Sequence, residues 1–120
     1  MKSKRSQEHF IQDIADAIER IQDYVAGMDA ADFYADKKTQ DATVYCFQII
    51  GEAARNISAD FKRSHPEIEW RQINGFRNTL IHEYFGIKIK TVWDTIKKNL
   101  PDLKEKIAKI GGENKQKKLL

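Results

Sequence analysis

Several features of secreted, membrane and metal-dependent proteins are missing from this sequence. The chain has 120 residues and a single cysteine, Cys46, so an internal disulfide is impossible. Its strictly apolar runs are only a few residues long, too short for a transmembrane helix. The basic start at residues 1–5 is not followed by the apolar region of a signal peptide. We therefore expect a cytoplasmic protein in a reducing compartment, with no membrane association.

Motifs that hold metals or nucleotide phosphates are also missing. The three histidines and Cys46 do not have zinc-ligand spacing, and there is no glycine-rich loop of the P-loop type. We therefore expect neither a metal nor a cofactor. Cys46 is expected to be a small buried hydrophobe rather than a nucleophile.

Positive charge is concentrated at the two ends of the chain. The formal net charge is +3, and residues 1–8 and 113–120 each contribute +2, which leaves −1 for residues 9–112. Bulk charge therefore does not predict nucleic-acid binding. If the protein handles RNA, it must do so through a local patch.

Apolar residues recur at three- and four-residue steps, and no alternating strand pattern stands out. Hydrophobic content of 41% with 32% charged residues is ordinary for one soluble domain. The expected fold is an all-α antiparallel bundle of four to five helices at 1–112, followed by a disordered basic tail at 113–120. The predicted helices run from Gln7 to a stop near Gly27, from about Thr39 to Lys62, from Glu67 to Glu83, from Lys90 to Asn99, and from Pro101 to Gly111-Gly112.

Two details of this pattern bear on packing. Gly51 lies inside the second predicted helix, where it costs about 1 kcal/mol relative to alanine. A close helix crossing would explain its presence. Residues 30–38 are expected to form a short connection, with Phe33 packing beneath it.

The densest cluster of chemically able side chains lies in the third predicted helix. Asn74, Asn78 and His82 recur at four-residue steps and share one face, with Arg77 beside them. The opposite stripe is apolar and comprises Trp70, Ile73, Phe76 and Leu80. A core-facing helix does not need two amides, an imidazole and a guanidinium in a row. Arginine has a planar donor fork suited to phosphate, and histidine moves protons near neutral pH.

The residues by themselves leave plainer interpretations open. Arg77 and His82 are five residues apart, which is about 140° of rotation on an ideal helix. Arg77 could form a structural salt bridge, and His82 could stabilise the C-terminus of its helix through the dipole. Tyr84 could be an ordinary packing tyrosine. Glu52 and Arg55 could support the motif helix or form plain surface ion pairs.

The segment from Arg77 to Tyr84 resembles the R-x-x-x-x-H-x-Y signature of HEPN domains, specifically the HepT-like toxin branch. Arg77, Asn78, His82 and Tyr84 match it. The similarity extends over roughly 10–110. It includes Trp70, Ile73 and Gly75 before the motif, Val92-Trp93 and Leu100-Pro101 after it, and residues 50–53 on the second helix.

This resemblance implies a HEPN-like homodimer that cleaves RNA without a metal, as the toxin of a type VII-like HEPN/MNT toxin–antitoxin pair. Arg77 and His82 would be catalytic, and Asn78 and Asn74 would position the substrate. The partner would be a cognate MNT-type nucleotidyltransferase antitoxin, which attaches AMP to the matching tyrosine, here Tyr84.

The alternative is a non-catalytic helical module that only docks a nucleotidyltransferase. A structural bundle whose polar row contacts water is a third interpretation.

Overall fold

Nearly all of the described chain is helical, as the periodicity of its apolar residues predicts. The computed structural model describes the backbone of residues 4–82 and 88–119 and the side chains of residues 7–80 and 88–111. These residues contain no strand, which confirms the all-α class. The helices are α1 (Lys4–Val25), α2 (Ala30–Tyr34), α3 (Lys37–Asn56), α4 (Ala59–Ser64), α5 (Trp70–His82), α6 (Ile89–Asp94) and α7 (Leu100–Leu119), with a π-helical segment (Thr95–Asn99) between α6 and α7.

The long helices pack as antiparallel neighbours. The backbone N–H of Ser58, just beyond the end of α3, donates to Gln7 Oε1 near the start of α1 at 2.8 Å. Lys104 of α7 donates to Gln22 near the end of α1 at 2.8 Å. Helix α1 therefore packs between α3 and α7, and α5 packs against the other side of α3. None of the described helices is long and apolar enough to cross a membrane.

The apolar periodicity of the sequence correctly identifies most of the core. The side chains that are almost completely buried come from every long helix, and include Ile14, Ile18, Ile21, Leu80, Leu100 and Ile107. Phe33 is also fully buried, beneath a segment that is the short helix α2 rather than an irregular connection. Asp29 and Asp32 form a capping box at the start of this helix, which satisfies backbone donors at its N-terminus.

The second predicted helix is wrong in its length. It ends at Asn56, and the separate helix α4 begins at Ala59. Ile57 is extended and buried, and the Ser58 hydroxyl accepts from the backbone N–H of Phe61 at 3.1 Å. Gln7 takes the N–H of Ser58 itself. The Ser58 cap and the bond to the distant residue Gln7 replace the helical hydrogen bonds at the break.

The end of the fourth predicted helix is also wrong, because the helix continues through Pro101. The backbone N–H of Leu100 donates to Thr95 rather than to Ile96, which produces the π-helical turn. Proline has no N–H and its ring crowds the carbonyl four residues earlier, so a wider turn accommodates it inside a helix. Helix α7 then passes Gly111 and continues to Leu119, beyond the predicted stop. The division into a domain at 1–112 and a basic tail at 113–120 stays a prediction.

Gly51 lies where α5 crosses α3. A Cβ placed on Gly51 would lie 2.5–2.7 Å from Cβ, Cγ and Cδ of Arg77. Next to it, the rings of Phe47 and Phe76 meet edge to face with centroids 4.9 Å apart. The close crossing inferred from the glycine is therefore confirmed.

Gly51→Ala should lower the free energy of unfolding. Alanine gains about 1 kcal/mol of helix propensity, but overpacking of this kind costs about 1–3 kcal/mol. The Arg77 Cβ is attached directly to the backbone, so it cannot move away without moving α5. Urea denaturation measures the change.

Gly111→Ala is the matched control, because no described atom of another segment lies within 4 Å of its added methyl group. It should raise stability by up to about 1 kcal/mol. Equal stabilisation by both substitutions would show that α3 and α5 do not cross this closely.

Candidate active site on helix α5

Helix α5 has the two faces that its sequence predicts. Leu80 is completely buried, and Ile73 and Phe76 are half-buried against the core. Asn74 and Asn78 are exposed on the other side. Neither amide has a hydrogen-bond partner among the described residues, so both can bind a ligand.

Arg77 lies at the boundary between these faces and is held at two points. Its aliphatic part passes over Gly51, and its Nη2 donates to Glu52 Oε2 at 2.9 Å. The Arg77 side chain is 16% exposed, whereas the Glu52 side chain is 57% exposed. The guanidinium is therefore positioned by α3 near the surface, where solvent reaches its partner. This is how a bulky flexible cation acquires a defined direction.

The support for Arg77 extends one turn along α3. Asn56 Nδ2 donates to the Glu52 carbonyl at 2.9 Å and lies 3.5 Å from Glu52 Oε1. Glu52 therefore bonds to the motif helix, which the interpretation of Glu52 as a support and that of a salt bridge by Arg77 both predict. Arg55 is exposed and does not bond to the described part of α5. Asn56 was not identified from the sequence, although its four-residue spacing from Glu52 was a signal for it.

The two remaining motif residues are only partly within the described region. His82 is the last residue of α5, and its side chain lies outside the described residues, as does the whole of Tyr84. The backbone is helical from Arg77 to His82, so the two backbone positions are about 140° apart around the helix axis. The structure thus brings Arg77 together with Glu52, and Asn74 with Asn78, on adjacent parts of one surface.

The chemistry available here is anion binding by a cation and two amides. Among the described residues, no group of histidine, cysteine, aspartate and glutamate side chains could hold a metal ion. The thiol of Cys46 is completely buried, and desolvation raises its pKa, which favours the protonated form. This agrees with its predicted role as a buried hydrophobe.

Comparison with known proteins identifies the class of helical protein to which this fold and site belong. The family model described as "Ribonuclease HepT-like" matches residues 14–110. "Probable ribonuclease HepT" of Thermococcus cleftensis is 47% identical over 107 residues, covering 89% of this chain and 97% of that protein. No solved structure is significantly similar.

More distant relatives have the same type of name. A "Putative RNase" of Caldanaerobacter subterraneus subsp. tengcongensis is 37% identical over 103 residues, covering 86% of this chain and 88% of that protein. One from Methanocaldococcus jannaschii is 35% identical over 107 residues, covering 89% and 92%. The chain belongs to the HepT-like ribonuclease family, as its R-x-x-x-x-H-x-Y motif indicates.

Proposed function

We propose that this protein is a homodimeric, metal-independent endoribonuclease of the cytoplasm and the toxin of a HEPN/MNT toxin–antitoxin pair. The observation that carries the proposal is the positioning of Arg77. Its stem rests on Gly51 and one edge of its guanidinium is bonded to Glu52, beside the exposed amides of Asn74 and Asn78. A structural salt bridge alone would not explain the adjoining row of free amides.

RNA carries its own nucleophile, the 2′-hydroxyl, so the enzyme needs proton transfer and charge stabilisation rather than a metal. Glu52 occupies one nitrogen of the Arg77 guanidinium, and the remaining donors can bind a phosphate oxygen. In this mechanism Arg77 stabilises the charge that builds up on the phosphorane. Asn78 and Asn74 hold the neighbouring phosphate or ribose, and His82 transfers protons.

A dimer resolves one difficulty of a single-chain site, and one feature of α5 supports it. One histidine cannot easily act both as the base for the 2′-hydroxyl and as the acid for the leaving 5′-oxygen, whereas a two-fold axis brings a second His82. The exposed side of α5 also carries Gly75, where no described atom beyond its own stretch of helix lies within 4 Å of an added Cβ. A glycine that weakens a helix there is explained by the approach of a second copy.

Arg77→Ala and His82→Ala should each abolish RNA cleavage while the circular dichroism spectrum and the unfolding transition stay those of a folded protein. Each substitution removes charge stabilisation or proton transfer, which are typically worth a factor of about 10²–10⁴ in rate. Cleavage should persist in EDTA and leave 2′,3′-cyclic phosphate ends. Mass spectrometry of the products identifies those ends.

Arg20→Ala and His9→Ala are the matched controls. Arg20 and His9 are both exposed on α1, away from the polar face of α5, so both variants should keep normal cleavage. Loss of activity on chelation, or products from attack by water, would contradict the mechanism. Full activity of both motif variants would favour the non-catalytic docking module.

Mixed dimers test the requirement for two copies of His82. An excess of His82→Ala protein, exchanged with wild-type protein, should reduce cleavage below the level expected from dilution, because a mixed dimer lacks either the acid or the base. A His9→Ala protein in the same excess should leave the cleavage rate of the mixture unreduced. Activity that simply adds up from the wild-type fraction in the His82→Ala mixture would show that one His82 is sufficient.

Control by a cognate nucleotidyltransferase completes the proposal, with AMP attached to Tyr84. An adenylate there would place a negative phosphodiester two residues beyond His82, where it competes with RNA phosphate for the site. Protein coexpressed with the antitoxin should gain mass in steps of one adenylate and stop cleaving RNA. Tyr84→Phe should escape the modification.

Tyr45→Phe is the control, because Tyr45 is 57% exposed on α3 and offers an accessible phenol. The Tyr45→Phe protein should still gain the mass of one adenylate. If the antitoxin silences the wild-type protein without any gain in mass, inhibition is by binding alone and the adenylation proposal is wrong.

A further inference from the structure

A cleft of about 400 Å³ lies on the flank of α5 that is turned away from Asn74 and Asn78. Ligand sites in proteins commonly have volumes of about 300–1,000 Å³, so a small organic group fits. One wall is α5, with Gln72 and Phe76, and the other is the π-helical segment and the start of α7. We call it the α5–π cleft.

The floor of the α5–π cleft is apolar and partly aromatic. The half-buried ring of Phe76 lies there, edge to face with the ring of Phe47, which is buried in the core, and Ile73 and Leu103 are half-buried beside them. Such a floor suits a flat, unsaturated ring, which stacks on aromatic and branched apolar side chains.

The rim of the cleft offers hydrogen bonds. Gln72 on one wall and Asn99 on the other are exposed, and neither side chain has a hydrogen-bond partner in the described part of the chain. Amides both donate and accept, which matches the mixed donors and acceptors at the edge of a nucleobase. A purely apolar partner, such as the face of another helix, would leave these groups unpaired.

Charge is distributed unevenly along the cleft. At one end, Lys106 pairs with Asp102 at 2.9 Å. This hydrogen bond is the main cause of the raised pKa of Lys106, and the negative charge of Glu69 is a smaller cause. Glu69 directly precedes α5, whereas Lys106 is the last residue of α7 that lines the cleft. The two helices therefore run in opposite directions along it. The other end therefore lies beside Phe76, next to Arg77, and carries Lys98. Lys98 is exposed and has no ion pair among the described residues.

The π-helical turn forms this cationic end. Thr95, Lys98 and Asn99 all belong to it and all line the cleft. Such turns occur frequently at functional sites, because the extra residue redirects side chains that a regular helix would aim elsewhere. Here the turn places an unpaired cation and an unpaired amide on one wall.

We propose that the α5–π cleft holds one nucleotide of the RNA substrate, with its base on the Phe47–Phe76 floor and its phosphate at Lys98. The inference rests on the proposed ribonuclease function, because it places this nucleotide on the strand that continues past Arg77. An RNA strand that enters the cleft is thereby guided across α5 toward the exposed amides. The cleft is then a subsite that selects the base near the cleaved bond.

The experiment uses NMR of the His82→Ala protein, so that RNA binds without being cut. A short oligoribonucleotide and the four nucleoside 5′-monophosphates are titrated separately. The side-chain amide signals of Gln72 and Asn99 should shift with the oligoribonucleotide. Lys98→Glu should weaken its binding by about tenfold, the effect expected from losing a charge-assisted contact.

Lys97→Glu is the charge-matched control. Lys97 is the adjacent residue, but its ammonium lies 4.7 Å from the centroid of the Trp93 ring and does not line the cleft. It should weaken binding far less than Lys98→Glu. Equal weakening by the two variants would mean that general attraction to RNA acts here and would overturn the proposal. Shifts with mononucleotides but not with the oligoribonucleotide would overturn it as well.

Two further results separate this inference from the proposed mechanism. RNA that shifts Gln72 and Asn99 in a protein whose wild-type form does not cleave would leave the cleft assignment standing and refute the nuclease. Cleavage with unchanged Gln72 and Asn99 signals would refute the cleft assignment alone. Signals that change only with protein concentration would show that a second copy occupies the cleft, which also overturns it.

Discussion

The contact between the stem of Arg77 and Gly51 is the constraint on which the rest of the structure depends. Because Gly51 has no side chain, α5 approaches α3 closely enough for the Arg77 stem to lie directly on the α3 backbone. The same approach brings the Phe47 and Phe76 rings together. Glu52, one residue further along α3, then receives the guanidinium. The absence of a side chain at Gly51 therefore allows the core to pack closely and also fixes the orientation of the Arg77 guanidinium.

This arrangement gives α5 two different flanks. Asn74 and Asn78 face outward on one, and the aromatic floor of the α5–π cleft lies along the other. The cleft exists because α7 packs mainly on α1 while α5 packs mainly on α3, which leaves space between α5 and α7. The π-helical turn lines that space with polar side chains that a regular turn would place differently.

The sequence predicted the helical class, the antiparallel packing and the reason for Gly51, because hydrophobic period and residue size are local properties. Two of the helix boundaries that it placed wrongly have causes that are not local. At Ser58 a cap and a distant glutamine, Gln7, replace helical hydrogen bonds. At Pro101 a wider turn makes a missing N–H tolerable inside a helix. Both outcomes depend on partners or backbone shifts that no periodicity records.

The site divides in the same way between local and tertiary causes. The sequence alone determined that Asn74 and Asn78 share a polar face of α5 and that Arg77 borders it, because helix geometry dictates which residues lie side by side. It also carried the motif by which the family is recognised. Only the tertiary structure decided that Glu52 meets Arg77, since a contact between α3 and α5 depends on where the two helices cross. The α5–π cleft likewise arises from the packing of separate helices, so residues as distant in the chain as Gln72 and Asn99 become neighbours only after folding.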